Sequence, residues 1–231
     1  MPLTIGCLHA HYSNAGYFEA AASPSIRFLH FVEPGIAERL ANDPGFDLEQ
    51  ASAGLASALA WIASCGADAI LVTCTEYCAL LPAAVYRNIP LLRLDELFFR
   101  SLDAAERPVH LVFTNPGTVE STMARLLAWH EAKGTRPDAT FGLIEDAFAL
   151  LMGGRREAYA ERLAEGLRTA AGVVKENGAD GNARQLAVAQ LSMSAAGQAF
   201  EQESGIPVLT PLEAVLHAIS ELDSLQAGDQ R

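Results

Sequence analysis

Positive charge is scarce in this sequence. Its 231 residues include 16 Lys and Arg against 28 Asp and Glu, a formal net charge of −12. Nucleic-acid binding needs a basic surface to meet the phosphates, and anionic lipid makes the same demand. Neither nucleic acid nor a membrane is therefore an expected partner. Long apolar runs are lacking too. The stretch from Gln50 to Ala67 carries no charge, but Ser52, Gly54, Ser57, Ser64 and Gly66 make it a packed helix rather than a bilayer span. No Lys or Arg precedes Arg27, so the start of the chain does not read as a secretory leader. Cysteine is limited to four residues, none in a Cys-x2-Cys spacing, which implies free thiols in a reducing compartment. The expected location is the cytoplasm. No Gly-x-Gly-x-x-Gly fingerprint or phosphate loop occurs, and no cofactor is expected.

One phrase occurs twice. Gly66-Ala-Asp-Ala-Ile-Leu-Val-Thr-Cys74 followed by Ile89-Pro-Leu-Leu reads as a buried strand, a helix, a short strand and a further helix. Gln185-Leu-Ala-Val-Ala-Gln190-Leu-Ser-Met followed by Ile206-Pro-Val-Leu reads the same way, and superimposing the apolar runs sets Gln190 against Cys74. Continuous apolar runs of four to six residues, alternating with helical segments, indicate parallel strands covered on both faces. Further strands are expected at Leu3 to His9, Ile26 to Val32, Val109 to Thr114 and Phe141 to Glu145. Asp47 is placed to cap a helix running to Ser64, with Gly66 just beyond it. Helix is expected from Asp146 to Val174, broken at Gly153-Gly154, with Leu151, Tyr159, Leu163 and Leu167 as its packing stripe. Asn177 to Asn182 reads as a turn, and the tail from Gln226 as polar and frayed. The expected architecture is α/β, with two similar flavodoxin-like or Rossmann-like halves of mainly parallel sheet. The halves, 1–106 and 107–231, are expected to be related by a pseudo-twofold and to face each other across a cleft. The C-terminal helix is free to pack back on the first half.

Cys74 is the leading candidate for chemistry. It follows a predicted central strand, where open α/β sheets place their ligands, and precedes a helix whose first turn holds Thr75. Helix amides at that point favour a thiolate and are expected to lower its pKa. A buried structural cysteine is the plain alternative, and Cys78 and Cys65 are assigned to packing. His9 and His11 alternate with Cys7 on one strand face, a pattern that becomes a metal site only with a ligand from another element. No metal is assigned. His9 is instead placed beside Cys74 as a possible ligand-binding group. Ser13-Asn14 and Thr114-Asn115 follow the first strand of each half, where hydroxyls and free amides make an uncharged anion cradle. Capping is the plain alternative at such turns; Thr114 and Asn115 are assigned to ligand binding and Thr118 to capping.

Thr73-Cys74-Thr75-Glu76 after a buried strand, together with Ala189-Gln190-Leu191-Ser192-Met193, resembles the aspartate/glutamate racemase superfamily. His9, Phe113-Thr114-Asn115-Pro116 and Glu145-Asp146-Ala147-Phe148 fall where such proteins place similar phrases, so the likeness covers nearly the whole chain. The branch it is most similar to carries Ala-Gln-x-Ser-Met in place of the second cysteine motif. The resemblance implies a cofactor-independent enzyme acting on a small carboxylate, such as an amino or dicarboxylic acid, and often oligomeric. It implies Cys74 as the catalytic thiol, and His9, Ser13, Asn14, Thr75, Thr114, Asn115, Gln190 and Ser192 as substrate-binding residues. Two-base racemisation needs a second acid-base group, and the amide of Gln190 is not one. A single thiol still allows one-base exchange, isomerisation or decarboxylation. A carboxylate-binding protein without turnover is the alternative from another class.

Overall fold

The computed structural model of the chain describes residues 2–81, 85–176 and 183–229. They fall into two compact units. One comprises the chain up to Leu97 together with the segment from Val215, and the other is Phe98–Ala214. The expected boundary at residue 106 follows the helix that ends at Ala104. The division instead falls within that helix, because Phe98, Phe99 and Leu102 share a buried cluster with Val109, Leu111 and Phe113 of the second unit.

The first unit runs β1 (Leu3–His9), α1 (Ser13–Glu19), β2 (Ile26–Val32), α2 (Gly35–Asn42), α3 (Leu48–Ser64), β3 (Ala69–Val72), α4 (Thr75–Leu80), β4 (Val85–Tyr86) and β5 (Ile89–Arg93), and α5 (Leu94–Ala104) begins there. Its sheet has the order β2-β1-β3-β5-β4, parallel except for the short β4–β5 pair. β1 is buried along its length, as a central strand covered on both faces should be. α3 shows how local chemistry sets an element. The Asp47 carboxylate accepts the Gln50 amide at 2.8 Å, and the Gln50 side chain accepts the Asp47 amide at 3.0 Å. That reciprocal cap satisfies two otherwise orphaned donors. Ala51, Leu55, Leu59 and Ile62 then fall on one buried face. At Gly6 the helix comes so close that a Cβ would overlap the Ile62 side chain, so β1 requires glycine there.

The second unit continues with β6 (Val109–Phe113), α6 (Val119–Glu131), β7 (Ala139–Leu143), α7 (Ala147–Met152), α8 (Arg156–Glu176), β8 (Gln185–Val188), α9 (Ser194–Ser204), β9 (Val208–Leu209) and the start of α10 (Pro211–Asp229). Single 3-10 turns precede α6 and α9. The sheet order is β7-β6-β8-β9, all parallel. Tyr159, Leu163 and Leu167 of α8 are buried in one cluster with Val112, Ile144 and Met193, and Leu151 packs against its edge. The expected packing stripe is therefore present.

Both units share one strand order, and their registers match in detail. The Thr73 amide donates to the Leu8 carbonyl at 3.1 Å, just as the Ala189 amide donates to the Val112 carbonyl at 2.9 Å. Cys74 and Gln190 thus stand at equivalent positions, two residues past β3 and β8.

Some local expectations are corrected. The segment after His9 is not a plain loop, since α1 starts at Ser13. β7 begins two residues earlier than Phe141. The tail does not fray at Gln226, because α10 carries helical hydrogen bonding on to Asp229. The turn expected at Asn177 to Asn182 lies outside the described residues.

Candidate functional site

In the first unit, the strand ends gather Cys74, Thr75, His9 and Asn14. Cys74 has an extended backbone and is the N-cap of α4. It is half-buried, whereas Cys7 and Cys78 are buried. Cys78 packs in the core with its thiol 3.5 Å from the Val72 carbonyl, as assigned. Cys65 is exposed, so its assignment to packing is corrected: it caps the end of α3, facing solvent. The expectation of a low Cys74 pKa is also overturned. Burial raises it above the ordinary thiol value, and the carboxylates of Glu76 and Asp95 add to the rise. The amides of Tyr77 and Glu76 pull the other way but do not prevail, and no hydrogen bond from the Cys74 side chain caps α4. Desolvation of a charged sulfur outweighs the dipole of a helix only six residues long. At neutral pH Cys74 is a thiol.

His9 is wholly buried. Its Nδ1 lies 2.9 Å from the Thr73 hydroxyl, and its Nε2 lies 2.9 Å from Nδ1 of His30. Asn14 donates from Nδ2 to the Thr73 hydroxyl at 3.3 Å, and that hydroxyl also reaches the Leu8 carbonyl at 3.3 Å. His30 passes the network on to Glu19, 2.9 Å away. Burial, with His30 adding to it, lowers the His9 pKa to about 4, so the ring is neutral. His9 and Asn14 thus converge on Thr73, the residue before Cys74. Ser13 is exposed, and its hydroxyl pairs locally with His11 at 2.7 Å.

In the second unit, Gln190, Thr114, Asn115 and Ser192 do come together. Oε1 of Gln190 accepts from the Thr114 amide at 2.7 Å, the Thr114 hydroxyl at 2.6 Å and the Asn115 amide at 3.1 Å. Three donors around one atom fix which end of the amide is oxygen. Nε2 donates to the Thr118 hydroxyl at 3.3 Å. The Asn115 side chain accepts from the Gly117 amide at 3.0 Å, an ordinary turn contact. Ser192 lies 3.2 Å from the hydroxyl of Tyr159. Burial raises the Tyr159 pKa, against the pull of the Ser192 and Thr114 hydroxyls, so the phenol is a neutral donor. An open depression of about 510 Å³ lies elsewhere, lined by Asp103, His130, Lys133 and Asp138 near the amino-terminal ends of β6 and β7. It has no part in this cluster.

Sequence reasoning missed three residues here. His30 lies on the neighbouring strand, where the register pairs it with Cys7. Glu19 meets His30 only because α1 is a helix. Tyr159 reads as part of an apolar stripe, and nothing in that stripe reveals where its hydroxyl points.

No family model matches the sequence, and no curated protein matches it as a relative. Solved structures do match in fold. An aspartate racemase from Picrophilus torridus aligns at 15% identity with a TM-score of 0.65, covering 96% of this chain and 94% of that one. An allantoin racemase from Pseudomonas fluorescens aligns at 15% identity and a TM-score of 0.63, covering 97% and 92%. An aspartate racemase homologue from Pyrococcus horikoshii aligns at 11% identity and a TM-score of 0.62, covering 96% and 99%. The chain has the α/β fold of the aspartate/glutamate racemase structures, in agreement with the resemblance carried by its motifs.

Proposed function

We propose that the protein is a cofactor-independent enzyme of the racemase superfamily that acts on the α-carbon of a small carboxylate, with Cys74 as its single catalytic thiol. The observation that carries this reading is the position of Cys74: half-buried, at the carboxyl end of a central strand, on a turn held by His9, Asn14 and Thr73. In this reading His9 is a positioning residue, since its ring nitrogens are already engaged with Thr73 and His30. Within the second unit, the Thr114 and Asn115 amides and the Thr114 hydroxyl present three donors to the Gln190 oxygen, a set whose chemistry suits a carboxylate oxygen equally well.

The base is the thiolate form of Cys74, a minor fraction at neutral pH because burial raises its pKa. Removing a proton from one face and returning it to the same face, it produces exchange with retention. Inversion needs a second acid-base group. At the position equivalent to Cys74, Gln190 offers only an amide. One-base chemistry is therefore the reading, with the amino or dicarboxylic acid class as substrate. The raised pKa of Cys74 favours a second reading, a single-cysteine decarboxylase. There the resting thiol donates its proton to the carbon from which carbon dioxide has left, and the resulting thiolate is reprotonated from water.

The test is Cys74→Ser. Calorimetry against a panel of amino and dicarboxylic acids identifies a ligand, and the variant binds it as the parent does while its turnover is lost. Undiminished turnover in a folded Cys74→Ser protein overturns the assignment. Binding without turnover in the parent leaves a carboxylate-binding protein.

A further inference from the structure

Cys7 and His9 are two residues apart on β1 and project to one face of the sheet, and His30 is the register partner of Cys7 on β2. Phe18 of α1 stacks on His9, and Phe28 stacks on His30. Sγ of Cys7 and one ring nitrogen from each histidine lie within 4.8 Å of one another. We propose that Cys7 Sγ, His9 Nε2 and His30 Nδ1 form a binding site for one zinc ion, with Glu19 and Thr73 as its outer partners.

The hydrogen bonds on the far side of each ring support this. His30 Nε2 faces a carboxylate oxygen of Glu19, which only accepts, so that nitrogen carries the hydrogen and Nδ1 of the neutral ring offers a lone pair. His9 Nδ1 faces the Thr73 hydroxyl, which has the Leu8 carbonyl as a second acceptor. With the Thr73 proton on Leu8, His9 donates from Nδ1 and its Nε2 also offers a lone pair. In that tautomer the two lone pairs face each other 2.9 Å apart, an arrangement that a cation between them would stabilise. Metal-bound histidines commonly have this outer arrangement, in which a carboxylate or other acceptor holds the second ring nitrogen.

Without metal, the network closes by moving protons. The Thr73 hydroxyl turns to His9 Nδ1, and the His9 proton sits on Nε2 and bonds to His30. Zinc entry returns that proton to Nδ1 and displaces the Cys7 thiol proton to solvent, so one proton leaves for each ion bound. Two imidazoles and a thiolate suit zinc, whereas magnesium and calcium take oxygen ligands. Tetrahedral bonds of about 2.0 Å to nitrogen and about 2.3 Å to sulfur need only a small opening of the facing nitrogens and a closing of the sulfur. Water or a small anion completes the coordination. The ion would clamp β1 to β2 and, through His9 and Thr73, stiffen the turn that carries Cys74. The site does not depend on the function proposed for that thiol.

The test uses the full chain carrying Cys65→Ser, which removes the exposed thiol. After treatment with a chelator, zinc is titrated in competition with a chromophoric chelator, and cobalt(II) is loaded in parallel. The expected result is a single equivalent of zinc per chain. The cobalt form should show thiolate-to-metal charge transfer and the intense visible bands of a tetrahedral site. Glu19→Gln should weaken zinc binding by about tenfold. His30→Gln, at a half-buried position whose folding is checked by circular dichroism, should weaken it further. Failure to take up zinc, a cobalt spectrum without the thiolate band, or unchanged affinity in His30→Gln each overturns the proposal. The cobalt spectrum of the parent decides the role of Cys7 even if Cys7→Ala does not fold.

Discussion

At the end of β8, one amide oxygen takes three hydrogen bonds. Removing it in Gln190→Ala leaves the amides of Thr114 and Asn115 and the Thr114 hydroxyl without their acceptor. These bonds are part-buried, so water can replace some of what is lost. Donors left unmet cost at most about 1–3 kcal/mol, and denaturant unfolding should show a loss towards the lower end of that range. A small dicarboxylate added at high concentration should restore part of it, because its oxygen fills the vacated cradle and binds only the folded state. Loss of stability with no recovery would return Thr114 and Asn115 to a purely structural role. Cys74 makes the complementary case. Its raised pKa predicts alkylation that is slow at neutral pH compared with the exposed Cys65, accelerating as pH rises beyond the ordinary thiol range. Peptide mapping after timed iodoacetamide treatment measures both rates, and a Cys74 that outpaces Cys65 near neutrality would contradict the burial argument. The placement of Cys74 at a strand end was legible in sequence, because a buried run followed by Thr-Cys-Thr-Glu is a local pattern. The Cys74 pKa was not, since burial is set by neighbours distant in the chain.

Elements with strong local signals were placed well. Asp47 and Gln50 cap α3, and the buried residues Ala51, Leu55, Leu59 and Ile62 keep the helical period. Asp47→Ala should lower stability by about 1 kcal/mol, measured by chemical denaturation, and no change would show that the cap is redundant. α1 was missed because Ser13-Asn14-Ala-Gly16 has turn composition, yet Phe18 at its end is fully buried and draws the segment against β1 and β2. The β6–β7 pair offers a test of pH dependence. His110 lies 2.9 Å from the Thr140 hydroxyl, and burial, with Arg184 adding to it, lowers its pKa. In the unfolded chain the ring takes up a proton near its ordinary value of about 6.5. The folded chain therefore binds fewer protons in acid. The stability His110 contributes is complete above that value and is lost as pH falls through the lower folded pKa. His110→Gln should flatten the acid side of the stability profile, and an unchanged slope would show that His110 is not its source.

The doubled α/β plan of the molecule was legible because Gly66 to Ile89 and Gln185 to Ile206 repeat one pattern, and the matching strand orders and registers carry that repeat into structure. The unit boundary was harder to read, since α5 and α10 each run across a division that no glycine or proline marks. The same repeat frames the functional claim, with a thiol at one strand end and an amide at its equivalent. The most direct test is exchange at the α-carbon. The protein is incubated in deuterated water with each amino and dicarboxylic acid it binds, then followed by proton NMR and chiral chromatography. The account predicts deuterium at the α-carbon with the original configuration retained, and no exchange with Cys74→Ser. Equal amounts of both enantiomers, or exchange that persists in Cys74→Ser, would contradict one-base chemistry through Cys74.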